Sequence, residues 1–454
     1  MQEKKSIHGA WASRWIFILA ATGSAVGLGN IWKFPYITGE NGGGAFVLVY
    51  LFCILLVGVP IMMAEVLIGR RARQSPINAM KEVAIEANHS GNWSLVGWMG
   101  VLAGFMIFSF YSVVAGWVLY YIAGMGVGDF ASIDGDAAGA KFNSLLADPQ
   151  TLVIWHTVFV AMVMLVIAGG VKKGLENAVK FLMPALFVLL LVMLGYSMQT
   201  EGFSAGWNFL FHFDPSELSW DAVLVALGHA FFTLSLGMGA IMAYGSYMPK
   251  KSSIGGSVVT IALMDTLVAL IAGLVIFPIV FANGMDPGAG PGLMFVTLPV
   301  AFGQMPGGQI FGFVFFLLVG IAAWTSAISL IEPAAAWLVE KFGWHRVPAC
   351  IALGLLVWSL GIAALGSFNF MSDFTIFGFN TFDFLDFMTA NVMLPLGGLF
   401  IAIFAGWFIT RKMAEDELAI SSPLLFNAWY IALRFVSPVA VAIIFILNLV
   451  EKLS

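Results

Sequence analysis

The chain reads as an all-α polytopic membrane protein of eleven spans, built from two inverted repeats of five helices plus one extra helix. Three observations carry that expectation. Of 454 residues, 60% are hydrophobic and 10% charged, with a mean hydropathy of +0.95; soluble domains carry roughly 25% charged residues. Two apolar segments, five spans apart, are interrupted by clustered glycines at matching places. Basic residues gather on one side of the spans and acidic residues on the other.

A span needs about 20 apolar residues to cross the hydrocarbon core. The apolar runs place spans at about 14–38, 44–69, 94–124, 151–169, 174–198, 219–247, 254–283, 308–340, 344–366, 383–410 and 426–450. The repeats cover about 11–200 and 217–412 within a single transporter domain, and the last helix stands outside them. The first span is long, carries Lys33 and lacks a small-residue cleavage site, so it is not expected to be a removable signal. Lys4, Lys5, Arg14, Arg70, Arg71, Arg73, Lys172, Lys173, Lys250, Lys251, Lys341, Arg346, Arg411 and Lys412 fall on one side. Lys141 and Lys452 fall on the other, with Asp129, Asp134, Asp136, Asp148, Glu201, Asp214 and Glu217. The positive-inside rule then expects a cytoplasmic N-terminus and, after eleven spans, a C-terminus outside.

The net charge of −5 lies in loops beside the membrane and points to no nucleic-acid partner. Cys53 and Cys350 sit in apolar runs, which suggests neither a disulfide framework nor a thiolate metal site.

The first span contains AATGSAVGLGNIWKF, Ala20 to Phe34, with Gly23, Gly27 and Gly29 inside it. Each glycine in a helix interior costs roughly 1 kcal/mol, and lipid offers no replacement hydrogen bonds. The sixth span repeats the feature with Gly237 and Gly239 on either side of Met238. Single glycines often serve only close helix packing. Clustering at i, i+4 and i+6 beside Asn30, matched five spans later, favours two unwound helices meeting at mid-membrane. There, half-helix N-termini attract anionic groups and freed carbonyls bind cations.

At these residues the chain resembles the neurotransmitter:sodium symporter family, in its eleven-span bacterial amino-acid branch. The resemblance runs from WASR (Trp11–Arg14) through GSAVGLGNIWKFPY (Gly23–Tyr36), ENGGGAF (Glu40–Phe46) and FFTLSLGMG (Phe231–Gly239) to WTSAISLIEP (Trp324–Pro333) and the tenth span. It implies the LeuT-like fold in a bacterial-type inner membrane. It also implies two sodium sites, the first using Ala25, Asn30, Thr233 and Asp265, the second Gly23, Val26, Ala322, Thr325 and Ser326. Hydroxyls such as those of Thr325 and Ser326 also back-bond within their own helix, a reading equally open from sequence. For the substrate, the resemblance implies a carboxylate at Leu28, Gly29 and Tyr111, and an ammonium at carbonyls around the breaks, including those of Phe232 and Thr233, with Ser235 close by. Ile107, Phe232, Met238 and Leu330 would line the side-chain pocket. Gly27 occupies the position where monoamine carriers of the family place an aspartate, so the ligand is expected to bring its own carboxylate. No charged side chain projects into the pocket, which points to neutral, apolar or aromatic L-amino acids. Met238 replaces a phenylalanine of a leucine carrier in the family; it either adapts the pocket to larger ligands or simply fills core space.

The resemblance further implies an outer gate of Lys33 with Asp386, Asp383 being the rival, above a lid of Tyr111 and Phe232. An inner gate would pair His8 with Glu340, near Ser246 and Tyr247, and is expected to tighten when His8 is protonated. Ala269 stands where chloride-dependent relatives have serine, while Asp265, grouped with Tyr50 and Thr233, supplies a fixed anion, so chloride is not expected to be needed. His229 is either a proton partner of Asp265 or a satisfied buried histidine. Glu65 would hold backbone freed by the sixth-span break. Gly174 and Pro184 match a family spacing that lets the fifth span unwind, although an ordinary kink fits too. The expected protein is a sodium-coupled symporter, not an enzyme, working as a monomer or weak oligomer in the lipid bilayer. The alternative is a sensor that binds an amino acid without moving it.

Overall fold

The computed structural model describes residues 6–214, 216, 218–288, 290 and 292–453. Lys4, Lys5 and Glu217, used above for orientation, lie outside the described residues, as does the side chain of Lys452. Among the described residues, the eleven expected spans all run as helices. The first, α1, is a bent pair, Arg14–Ala25 and Gly29–Glu40. It is followed by α2 (Gly44–Ala72), α3 (Gly91–Val127), α4 (Pro149–Ala168) and α5 (Gly170–Ser197). Then come α6 in two halves (Trp220–Thr233 and Ala240–Ser246) and α7 (Ile254–Ala282). The chain closes with α8 (Gly308–Phe342), α9 (Arg346–Gly366), α10 (Thr381–Phe408) and α11 (Pro423–Leu447). Among the described residues, nine of these are long and apolar enough to cross a membrane unaided, and α1 does so as a pair. The halves of α6, 14 and 7 residues long, are each too short alone because the break divides them.

Helix ends differ from the sequence expectation by a few residues, for local reasons. Asn380 caps α10 by accepting from the amide of Asp383 at 2.8 Å, which starts that helix at Thr381. Gly343, with φ +65°, ends α8, and the extended His345 delays α9 to Arg346.

The two breaks have different causes. In α1, Val26 leaves the helical region (φ −73°, ψ 105°), the axis turns by 51°, and Gly29–Lys33 resumes as a wide five-residue turn. In α6, Ser235, Gly237 and Gly239 have φ of 54°, 79° and 76°. A left-handed backbone costs an L-residue about 1–2 kcal/mol. Glycine relieves that cost at two of the three positions, and at the third the Ser235 hydroxyl donates to the carbonyl of Ser24 at 2.9 Å. The freed amide of Gly237 donates to Glu65 Oε1 of α2 at 2.8 Å, so a fully buried carboxylate replaces the missing helical partner. Small residues then let the neighbours close in. A β-carbon on Gly100 of α3 would lie 2.9 Å from the carbonyl oxygen of Gly237, and one on Gly237 would lie 2.5 Å from that of Leu394 in α10. The α6 break is thereby held among α2, α3 and α10, facing the α1 break.

Candidate functional site at the paired helix breaks

Ser24, Ala25, Gly27, Leu28 and Gly29 of α1, Ile107 and Tyr111 of α3, Phe232, Ser235 and Met238 of α6, and Ser326 and Leu330 of α8 enclose one buried cavity of about 20 Å³, room for a single water. Every residue expected at the substrate lines it except Thr233; Ala25, expected at the first sodium ion, lines it too, and Ser24 is an addition that sequence reading missed. The Leu28 amide donates to the Tyr111 hydroxyl at 3.3 Å. A β-carbon on Gly27 would stand 2.4 Å from Ser326 Oγ and 3.1 Å from the Tyr111 hydroxyl, so the cavity floor tolerates only glycine without displacement. Leu28, Tyr111 and Phe232 also line a second cavity of about 370 Å³ above the first, with Lys33, Asp383 and Asp386 on its walls. Tyr111 and Phe232 are therefore the partition between the two.

Thr233 lies beside the small cavity, in a cluster around Asp265 of α7. The Thr233 hydroxyl sits 3.1 Å from both carboxylate oxygens, Asn30 Nδ2 donates to Oδ1 at 2.8 Å, and the Tyr50 hydroxyl donates to Oδ2 at 3.4 Å. Asn30 Oδ1 accepts from the Gly27 amide at 3.1 Å. Asp265, Asn30 and Thr233 are all buried. A buried carboxylate among an amide and hydroxyls needs either a proton or a cation to complete it.

Ser326 of α8 faces the α1 break from the other side. Its hydroxyl is 3.3, 3.0 and 3.1 Å from the carbonyl oxygens of Gly23, Ser24 and Val26. One O–H donor cannot satisfy three converging carbonyl dipoles, and the surplus negative potential suits a hard cation. Thr325 instead back-bonds within its own helix, to the carbonyls of Ile321 at 3.2 Å and Ala322 at 3.1 Å.

His229 is not a satisfied buried histidine in this structure. Its ring packs at 5.9 Å from that of Phe34 and 5.4 Å from that of Tyr50. Neither nitrogen has a hydrogen-bond partner among the described residues, Asp265 included.

At the outer gate, Lys33 and Asp386 line the same cavity but make no ion pair among the described residues; the Lys33 ammonium lies 4.9 Å from the centre of the Phe232 ring. A wide cavity separates the walls, and a cation over an aromatic face has a local partner without reaching across it. At the N-terminal face, His8 Nε2 is 3.0 Å from Glu340 Oε1, and Glu340 also accepts from the Ser75 amide at 2.7 Å, the Ser75 hydroxyl, and Asn78 Nδ2 at 2.7 Å. Tyr247 packs edge-on against His8, ring centres 5.9 Å apart, and its hydroxyl donates to Glu332 Oε1 at 2.7 Å, while Ser246 bonds within its own turn. Glu332 also receives both Arg346 nitrogens, at 2.6 and 2.7 Å, in a buried bidentate pair that sequence reading missed.

Arg346 Nη2 lies 3.3 Å from His8 Nδ1. Guanidinium only donates, so Nδ1 accepts, and His8 bridges the Glu340 and Arg346 groups on this face.

The comparisons follow this geometry. The sodium:neurotransmitter symporter family model matches residues 8–126 and 144–454, and the chain belongs to that family. It is 40% identical to the sodium-dependent transporter YhdH of Bacillus subtilis, over 100% of each chain. It is 34% identical to a sodium-dependent transporter of Haemophilus influenzae, over 97% of this chain and 98% of that one. Among solved structures, MhsT in complex with L-phenylalanine matches with a TM-score of 0.89 at 45% identity, covering 96% of this chain and 99% of that one. The chain is thus a sodium-dependent membrane transporter of LeuT-like fold, and its relatives are named as transporters.

Proposed function

We propose that the protein is a sodium-coupled symporter importing neutral, apolar or aromatic L-amino acids by alternating access, with two sodium ions and no need for chloride. The observation that carries this reading is the convergence of three freed carbonyls of α1 on Ser326, beside a cavity floored by Gly27 and roofed by Phe232. One sodium ion would take the Ser326 position with Gly23, Val26, Ala322 and Thr325. The other would complete Asp265, with Ala25, Asn30 and Thr233. The substrate carboxylate would meet the Leu28 and Gly29 amides and Tyr111, and its ammonium the carbonyls of the α6 break. An apolar side chain would lie among Ile107, Phe232, Met238 and Leu330, with the flexible Met238 and the lid Phe232 moving to admit a larger ring. The neighbour MhsT was solved with L-phenylalanine, which supports that class.

In this reading the N-terminal face is cytoplasmic and closed by the His8–Glu340 and Arg346–Glu332 groups. The wide cavity beneath Lys33 opens outward, and the C-terminus lies outside. The repeats at about 11–200 and 217–412 place the two breaks in corresponding first helices. Asp265 supplies the buried anion near the first sodium ion, which removes the need for a halide. Uptake of L-phenylalanine, L-leucine and L-tryptophan into proteoliposomes tests the reading. It is expected to require an inward sodium gradient and to persist when gluconate replaces chloride. Binding without uptake or counterflow would make the chain a sensor, and dependence on chloride would overturn the role given to Asp265.

A further inference from the structure

On the outer flank, away from the breaks, α4 and α9 leave a furrow of about 600 Å³ whose lining includes Val160, Ala161 and Met164 of one helix and Ile351, Gly354 and Leu355 of the other. It ends inside where Trp358 Nε1 donates to Thr157 Oγ1 at 2.8 Å, and reaches the helix ends at Ala168 and Val347. From Thr157 to Ala168, a helix rises about 16 Å, close to half of the roughly 30 Å hydrocarbon core. The furrow therefore has the depth of one leaflet. It lies between two adjacent helices, a berth suited to an acyl chain, whereas a helix about 10 Å across would ride on its rim.

The mouth of the furrow is basic. Beyond Ala168, Lys172 and Lys173 are exposed in the irregular turn Gly170–Glu176. A β-carbon on Gly170 would lie 3.6 Å from Arg346 Cδ, so this turn abuts the first residue of α9. Exposed Lys341 and His345, and Trp344 at 43% exposure, stand where α8 hands over to α9. The nearby carboxylates are committed: Glu332 to Arg346, Glu340 to His8, and Glu176 to Lys180 and the Ala12 amide. Neither Lys172 nor Lys173 makes an ion pair among the described residues. Free cations and an indole at the mouth of a leaflet-deep apolar slot match an anionic headgroup on an acyl chain. We propose that the α4–α9 furrow holds one chain of an anionic phosphoglyceride whose phosphate is bound by Lys172 and Lys173. The furrow shares no lining residue with either of the two cavities at the breaks.

The test measures lipid binding to the purified full chain by native mass spectrometry and thermal unfolding. Phosphatidylglycerol is compared with phosphatidylcholine of the same acyl chains. Phosphatidylglycerol is expected to bind about tenfold more tightly and to raise the unfolding midpoint more. The double variant Lys172→Gln/Lys173→Gln should abolish that preference, and Ala161→Phe, which fills the furrow from its exposed wall, should weaken both lipids. Sodium-dependent binding of L-phenylalanine should be unchanged in both variants, which shows that they fold. Equal binding of the two lipids, a preference that survives the lysine substitutions, or the same stabilisation by sn-glycerol 3-phosphate alone would overturn the proposal. So would a change of oligomeric state in Ala161→Phe with no headgroup effect, since that would assign the furrow to a second copy of the chain.

Discussion

A β-carbon at position 27 would overlap Ser326 Oγ at 2.4 Å, and single atoms of this kind set the chemistry of the site. Gly27→Asp is expected to abolish amino-acid uptake by filling the place of the ligand carboxylate and pushing Ser326 off the α1 carbonyls. Uptake at wild-type rates would remove that assignment. Glu65→Ala leaves the Gly237 amide without its buried acceptor, at a cost of about 1–3 kcal/mol. Its unfolding midpoint should fall, while Glu65→Gln, which keeps an oxygen there, should fall less. His8 Nε2 lies 3.0 Å from Glu340 Oε1 and its Nδ1 3.3 Å from Arg346 Nη2, so His8→Ala removes the link between the two groups. Labelling of a cysteine introduced below the site, on the N-terminal side, should increase in His8→Ala; unchanged labelling would contradict it. Gly27 and Asn30 could be singled out by the glycine cluster and Glu65 by its cost at mid-membrane, while Asp265 was marked only by the family resemblance. The Nδ1 contact could not, because it depends on Arg346, which in sequence is only one more loop cation.

Among the elements, α5 offers the clearest test of motion. Its first turns, Gly170–Glu176, are irregular, and a β-carbon on Gly174 would lie 1.9 Å from the Val166 carbonyl oxygen. Pro184, inside the helix, removes a further backbone donor. The last residue of the irregular turn, Glu176, also accepts from the Ala12 amide at 3.1 Å, just ahead of α1. Unwinding at the start of α5 would thus loosen the N-terminal segment that seals the same face. Pro184→Ala is expected to slow turnover severalfold while leaving the affinity for L-phenylalanine within about twofold; an unchanged rate would reduce the proline to an ordinary kink. The existence of both breaks was legible because glycine clusters are rare inside spans. Their form was not: α1 turns at Val26 and resumes as a wide turn, whereas α6 depends on three left-handed residues, one of them Ser235. A serine with positive φ carries no signal in composition or spacing. Its stabilising bond to the Ser24 carbonyl exists only once the two breaks face each other.

At the scale of the whole molecule, the two faces are unequal. The N-terminal face is tied by His8, Glu340, Arg346, Glu332 and Tyr247, while the opposite face holds a cavity of about 370 Å³ that reaches down to Phe232 and Tyr111. Each sodium ion moving inward gains roughly 2.3 kcal/mol per 100 mV, so two ions could concentrate a neutral zwitterion substantially. The expected Lys33–Asp386 latch is unmade here, and Leu28, Tyr111 and Phe232 separate the cavities. The sequence order of motifs marked which helices meet, but not which gate is shut, because the same residues serve every state of the cycle. The most direct measurement is equilibrium binding of radiolabelled L-phenylalanine to the purified protein in sodium and in potassium, for wild type and Ser326→Ala. Coupling through the freed carbonyls predicts saturable binding in sodium, at least tenfold weaker binding in potassium, and a higher sodium requirement in Ser326→Ala. Equal affinity in the two salts would contradict the coupling of the paired breaks to a cation.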